Sequence, residues 1–172
     1  MKIVISIVLT LIGLLLLAII FINTGWYNVS AMNSENGIFK WILNTTKENS
    51  IEFRAENIKV PDLKDEKLIS LGFAHYKEMC ASCHGAPGKE ETELAKGLNP
   101  PAPELVKVSK FISPQEIFWA TKNGIKMTGM PAWGKTHSDH KIWAIVAAVK
   151  KLPNLSVAAY DSLGNEVEMD DD

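Results

Sequence analysis

The most apolar stretch of the chain is IVISIVLTLIGLLLLAIIFI, which runs from Ile3 to Ile22 without a charge. At 1.5 Å per residue it makes a helix of about 30 Å, the thickness of a bilayer's hydrocarbon core. The pattern predicts a single membrane-spanning helix. Lys2 is the only basic residue before the run and Lys40 the next after it, which places the N-terminus in the cytoplasm and the rest outside. Trp26 and Tyr27 fall where amphipathic aromatics favour the far headgroup layer. A cleaved signal sequence is the competing reading. Its apolar part is normally only about 7–15 residues long. The nearest cleavage pattern, Val29-Ser30-Ala31, stands well beyond the run.

After the apolar run the pattern changes to helical amphipathicity. Ile38, Trp41, Ile42 and Thr45 recur at helical spacing and predict a short amphipathic helix over about 36–49. The sequence does not say whether it packs on the main domain or on the membrane. A longer helix is predicted from about Asp65 to Met79. Its stripe is Leu68, Leu71, Gly72, His75, Tyr76 and Met79. A glycine inside a helix costs about 1 kcal/mol against alanine, so Gly72 implies a close helix crossing. Ser113-Pro114-Gln115-Glu116 reads as a capping box with proline in the first turn, opening a helix that stops at Gly124. The last helix starts near Ser138, carries Ile142, Ile145, Val146 and Val149 on one stripe, and ends at Pro153. No alternating run predicts a strand. The expected fold is all-α, a small helical domain preceded by one transmembrane helix.

These patterns divide the chain into a membrane anchor at 1–25, a linker at 26–61, the main domain at 62–153 and an acidic tail at 154–172. Net charge is −2 overall, which gives no sign of a nucleic-acid partner. The main domain carries 13 lysines against 10 acidic residues, while the tail carries six acids and no base. So polar a tail is expected to be disordered.

The chain's two cysteines stand in Cys80-Ala81-Ser82-Cys83-His84. A disulfide across so small a loop would restrain the unfolded chain little. A structural zinc site wants four ligands, and this segment offers three. A thioredoxin-like site needs a βαβ context that the patterning does not supply. Cys-x-x-Cys-His is the attachment pattern of c-type haem. Two thiols one helical turn apart can each bond a vinyl group on one edge of the macrocycle, and His84 then lies under the iron. An isolated disulfide is the plainer alternative. A sixth ligand would come from Met127, Met130, His75, His137 or His140. Met130 is favoured because it sits in the loop Thr128-Gly129-Met130-Pro131, where Pro131 biases it to extended backbone and Gly129 permits a close approach to the porphyrin. Pro100 or Pro101 is the expected carbonyl partner for the other nitrogen of His84.

With these residues in view the chain resembles the class I cytochrome c family over about 62–153. Cys80, Cys83 and His84 match its haem motif, and Met130-Pro131 matches its axial-methionine loop. The helix with Gly72 and Tyr76 is similar to its N-terminal helix, and the one with Trp143 and Val146 to the C-terminal helix it crosses. The resemblance implies one covalent haem c, held by Cys80 and Cys83 with His84 and Met130 on the iron, in a protein that is not itself an enzyme. The first 61 residues depart from soluble members. Membrane-anchored monohaem cytochromes, including the small haem subunit of nitric oxide reductases, share that layout. The implied function is single-electron transfer between respiratory partners on the outer face of the cytoplasmic membrane. The alternative is the electron-transfer haem subunit of a membrane oxidoreductase complex. A haem enzyme or gas sensor would need an open iron position. Expected partners are the membrane and redox proteins with acidic docking surfaces, steered by Lys122, Lys126, Lys135 and Lys141, with no nucleic acid and no small-molecule substrate.

Overall fold

The computed structural model describes residues 1–33 and 37–165. They fall into two compact units divided after Asn33. The first contains α1, Lys2–Asn23, none of whose residues is buried by other protein. This helix is long and apolar enough to cross a membrane.

The regular elements among the described residues of the second unit are all helical. Helix α2 spans Ile38–Ala55, six residues beyond the predicted end, and its C-terminal half packs against α7 through Ala55. Helices α3, Glu66–His75, and α4, Ala81–His84, are joined by one π-helical turn over Tyr76–Cys80. Two single-turn helices follow, α5 at Glu93–Lys96 and α6 at Leu105–Val108. Helix α7, Pro114–Asn123, begins at the expected capping box: the Ser113 hydroxyl accepts from the Glu116 amide at 3.2 Å, and the Glu116 carboxylate accepts from the Ser113 amide at 2.9 Å. Helix α8 spans Asp139–Lys151. At its last turn Lys150 donates from Nζ to the carbonyls of Ser109 and Ile112, each at 2.8 Å, where a cation also complements the helix dipole.

The centre of the fold is the crossing of α3 and α8. Phe73, Tyr76, Ile142 and Val146 are wholly buried there. Gly72 makes the crossing possible. A Cβ at this position would lie 1.9 Å from the Ala144 carbonyl oxygen and 2.4 Å from its carbon, inside any tolerable contact. The chain accepts a poor helix former because only a bare Cα lets the two backbones meet.

Two sequence expectations need correction. The buried face of α3 includes Ile69 and Phe73, which the predicted stripe omits, while Leu71 and Met79 are only half-buried. The second correction explains the first. The tail does not begin as disordered chain at 154. Ser156 caps a ninth helix, α9, Val157–Ser162. Its Tyr160 is 4% exposed and meets Phe73 and Tyr76 edge to face, with ring centroids 6.0 and 6.5 Å apart. Lys77 fastens the segment by donating from Nζ to the carbonyl of Asp161 at 3.0 Å and to the side-chain oxygen of Asn165 at 2.7 Å. One aromatic ring and the Lys77 contacts, two to backbone carbonyls of Asp161 and Leu163 and one to the Asn165 side chain, outweigh the polar composition of these few residues. The remainder of the tail, 166–172, lies outside the described residues.

Candidate cofactor site

The π turn sets the direction of the site. It adds one residue to the helical path, leaving Cys80 buried in the core beside Phe73 and Tyr76 while Cys83 and His84 are half-buried. Tyr76 holds the far end of the segment: its buried hydroxyl donates to the Gly85 carbonyl at 2.6 Å, just past His84. Burial holds the phenol protonated far above its ordinary range, with Cys80 and Tyr160 adding to the effect, so the hydroxyl remains a donor. Thr92 ties the other side, donating to the Ser82 carbonyl at 2.5 Å while its oxygen accepts from the Ala95 amide at the start of α5.

Cys80 and Cys83 are free thiols, the first buried and the second half-buried. Burial, with Cys83 close by, pushes the Cys80 thiol up to about 12. His84 is half-buried, and burial lowers its basicity more than its hydrogen bond to Pro103 raises it, so the ring is neutral near pH 7. That bond joins Nδ1 to the Pro103 carbonyl at 2.9 Å. A carbonyl can only accept, so Nδ1 carries the hydrogen and Nε2 keeps its lone pair. The partner is therefore in the proline-rich segment but is Pro103, not Pro100 or Pro101. Spacing alone could not choose among three nearby prolines, since the choice depends on how the loop enters α6.

Met130 is half-buried on a loop laced to the end of α7. Its amide donates to Thr128 Oγ1 at 3.1 Å, the Thr128 hydroxyl donates to the Ile125 carbonyl at 2.7 Å, and the Ile125 amide donates to the Met130 carbonyl at 3.2 Å. Gly124 closes this loop. Its φ of +65° favours glycine, and a Cβ there would lie 2.8 Å from the Ala132 amide nitrogen. At Gly129 a Cβ would meet Leu98, 2.6 Å away. Met127, the local competitor, is 92% exposed and has a φ of +59°, so its thioether stands in solvent.

The histidines sort differently. His75 is 4% exposed, and neither ring nitrogen has a hydrogen-bond partner. Its ring meets His137 edge to face at 5.3 Å, and His137 in turn meets Trp133 at 5.4 Å. His137 is thus half-buried rather than solvent-facing, while His140 is exposed. Of the four lysines expected to steer partners, Lys122 is paired with Asp139 at 2.6 Å, and Lys126 and Lys135 are exposed. Lys122 is thus partly neutralised.

The donor set fits a c-type haem: two thiols one turn apart, a neutral imidazole with its outer nitrogen anchored, and a thioether on a constrained loop. It does not fit a closed zinc knot, since no cluster of three or more His, Cys, Asp or Glu among the described residues is placed to hold a metal ion. Residues 68–147 match the family model for cytochrome c oxidase, cbb3-type, subunit III. The match takes in Gly72, Cys80, Cys83, His84 and Met130. No curated protein matches the chain. The match indicates a class I c-type cytochrome domain over these residues, a domain type that implies haem c and electron transfer.

Proposed function

We propose that the protein is a membrane-tethered monohaem cytochrome that carries single electrons between respiratory partners on the outer face of the cytoplasmic membrane. The observation that carries the reading is the pairing of a fixed, neutral His84 with a laced Met130 loop, while Met127 stands exposed. The haem supplies the one-electron Fe(III)/Fe(II) couple. Cys80 and Cys83 are the thiols that would hold it covalently as thioethers. The Pro103 carbonyl fixes the His84 ring and makes Nε2 a better donor. Met130 offers a soft thioether, which favours the reduced state relative to a second imidazole. With His84 and Met130 both holding the iron, the chain would leave no place on it for a substrate, and outer-sphere transfer would be the chemistry left. Helix α1 retains the domain near membrane-bound donors and acceptors, raising their effective concentration.

A second reading is the electron-receiving subunit of an oxidoreductase complex. It is favoured by the matching family, whose description names a subunit of an oxidase. Both readings predict the same spectrum, and co-purification from membranes separates them. The first test is the visible spectrum of the haem-loaded full chain reduced with dithionite, before and after carbon monoxide. A low-spin c-type spectrum unchanged by the gas supports a filled sixth position. A clear shift overturns the carrier reading in favour of a gas-binding site.

A further inference from the structure

Helix α2 has two apolar sides. One carries Ala55, 2% exposed, with the half-buried Ile51, and packs on α7. The other has no such cover. Phe39 and Ile42 lie roughly 140–160° around the helix from Ala55 at 100° per residue, and they are 50% and 45% exposed. Ile38 and Leu43, about 100–120° from Ala55, extend the patch at 77% and 43% exposure, and Trp41, only about 40° round from Ala55 but ahead of the packed half, is 65% exposed. Five of the first six residues of the helix are thus large, apolar and in contact with solvent.

The charges are arranged lengthwise. From Gly37 to Lys47 the only charged side chains are Lys40 and Lys47, whereas Glu48, Glu52 and Glu56 follow with only Arg54 between them. The first half of α2 is cationic and apolar, and the second half is acidic, packed on protein through Ala55 with Phe53 left 75% exposed. An aromatic and aliphatic cluster bordered by lysines suits the boundary between acyl chains and anionic headgroups. The tether permits it. Fourteen residues, 24–37, separate the end of α1 from the start of α2. Fully extended they reach at most about 50 Å. A chain held in the bilayer by α1 therefore keeps the first turn of α2 within reach of the surface.

We infer that the first half of α2 is a second membrane contact: it lies on an anionic lipid surface with Ile38, Phe39, Trp41 and Ile42 at the acyl boundary and Lys40 and Lys47 at the phosphates. This rests on the reading of α1 as a membrane span. The domain is then held at the surface by two points rather than swung on a flexible leash.

The test uses the haem-loaded full chain in vesicles of phosphatidylcholine with or without phosphatidylglycerol. Haem attachment consumes Cys80 and Cys83, so a single introduced cysteine is the one thiol open to a charged, membrane-impermeant maleimide. Leu14→Cys reports the span, Ile42→Cys reports α2, and Glu90→Cys on an exposed loop reports free solvent. In the anionic vesicles Ile42→Cys should react at least about fivefold more slowly than Glu90→Cys. That protection should weaken without phosphatidylglycerol and on combining Ile42→Cys with Lys40→Glu and Lys47→Glu. If Ile42→Cys reacts as fast as Glu90→Cys while Leu14→Cys stays protected, the inference is wrong and the span reading survives. A freely reacting Leu14→Cys overturns the span, and the inference with it. Protection of Ile42→Cys that is indifferent to lipid and persists in detergent overturns the lipid assignment in favour of a protein partner.

Discussion

Replacing Gly72 with alanine sets two effects of opposite sign against each other. In helix α3 the substitution should stabilise by about 1 kcal/mol, the propensity difference between the two residues. Against this, the new methyl would lie 1.9 Å from the Ala144 carbonyl oxygen, part of the backbone of α8. Ordinary contact needs roughly 3.5 Å, so the helices must part or tilt by more than about 1 Å at their closest point. A gap of 0.5–1 Å already forfeits about a quarter to a half of the dispersion energy of the atoms facing it. Those atoms include Phe73 and Ile145, at the centre of the core. Overpacking usually costs about 1–3 kcal/mol, and a backbone obstacle puts this site at the upper end. The net expectation is a loss of about 2 kcal/mol or more, equivalent to roughly 8–16 °C in Tm for a domain of this size. Thermal and urea unfolding of the haem-loaded protein, followed by far-UV circular dichroism, measure it. Ala148→Gly in the same chain should recover little, because the Ala148 methyl is the farther neighbour at 3.0 Å. An unchanged or raised Tm for Gly72→Ala would refute the claim that this crossing sets the fold.

Four further substitutions test the site and its surroundings. Met130→Ala should let carbon monoxide shift the reduced spectrum, whereas Met127→Ala, in solvent, should leave it unchanged; the reverse pattern would reassign the ligand. His75 is held below its ordinary pKa of 6.5 by burial first, then by His137 and Lys141, with Glu78 opposing. As pH falls through 6.5 and below, the unfolded chain takes up the proton more readily than the folded one, so stability drops with falling pH by up to about 1.4 kcal/mol per unit. His75→Leu should flatten this slope in urea midpoints taken between about pH 5 and 7; an unchanged slope would place the titration elsewhere. Tyr160→Ala should cost about 2–4 kcal/mol by removing a ring packed on Phe73 and Tyr76. A loss near zero would mean that α9 only rests on the core.

Periodicity, caps and motif spacing made most of this protein legible. The apolar run has the length of a span whatever surrounds it, and the Ser113 and Ser138 caps are local chemistry written in adjacent residues. Cys80, Cys83 and His84 could be picked out together because they stand within five residues of one another. Gly72 could be read as a crossing because its propensity cost demanded a reason. What sequence could not fix were partners brought from far along the chain. Tyr160 covers Phe73 from more than eighty residues away, and a polar tail gives no hint that one aromatic in it is core. Pro103, rather than an earlier proline, receives the His84 hydrogen bond because of the path of one loop. Met127 and Met130 differ by three positions in sequence, yet a backbone turn sends the Met127 side chain into solvent while the Met130 backbone is held to Thr128 and Ile125 just past α7. Local rules act over a turn or two of helix. The choice between neighbours of like chemistry was made by packing, which only the folded chain supplies.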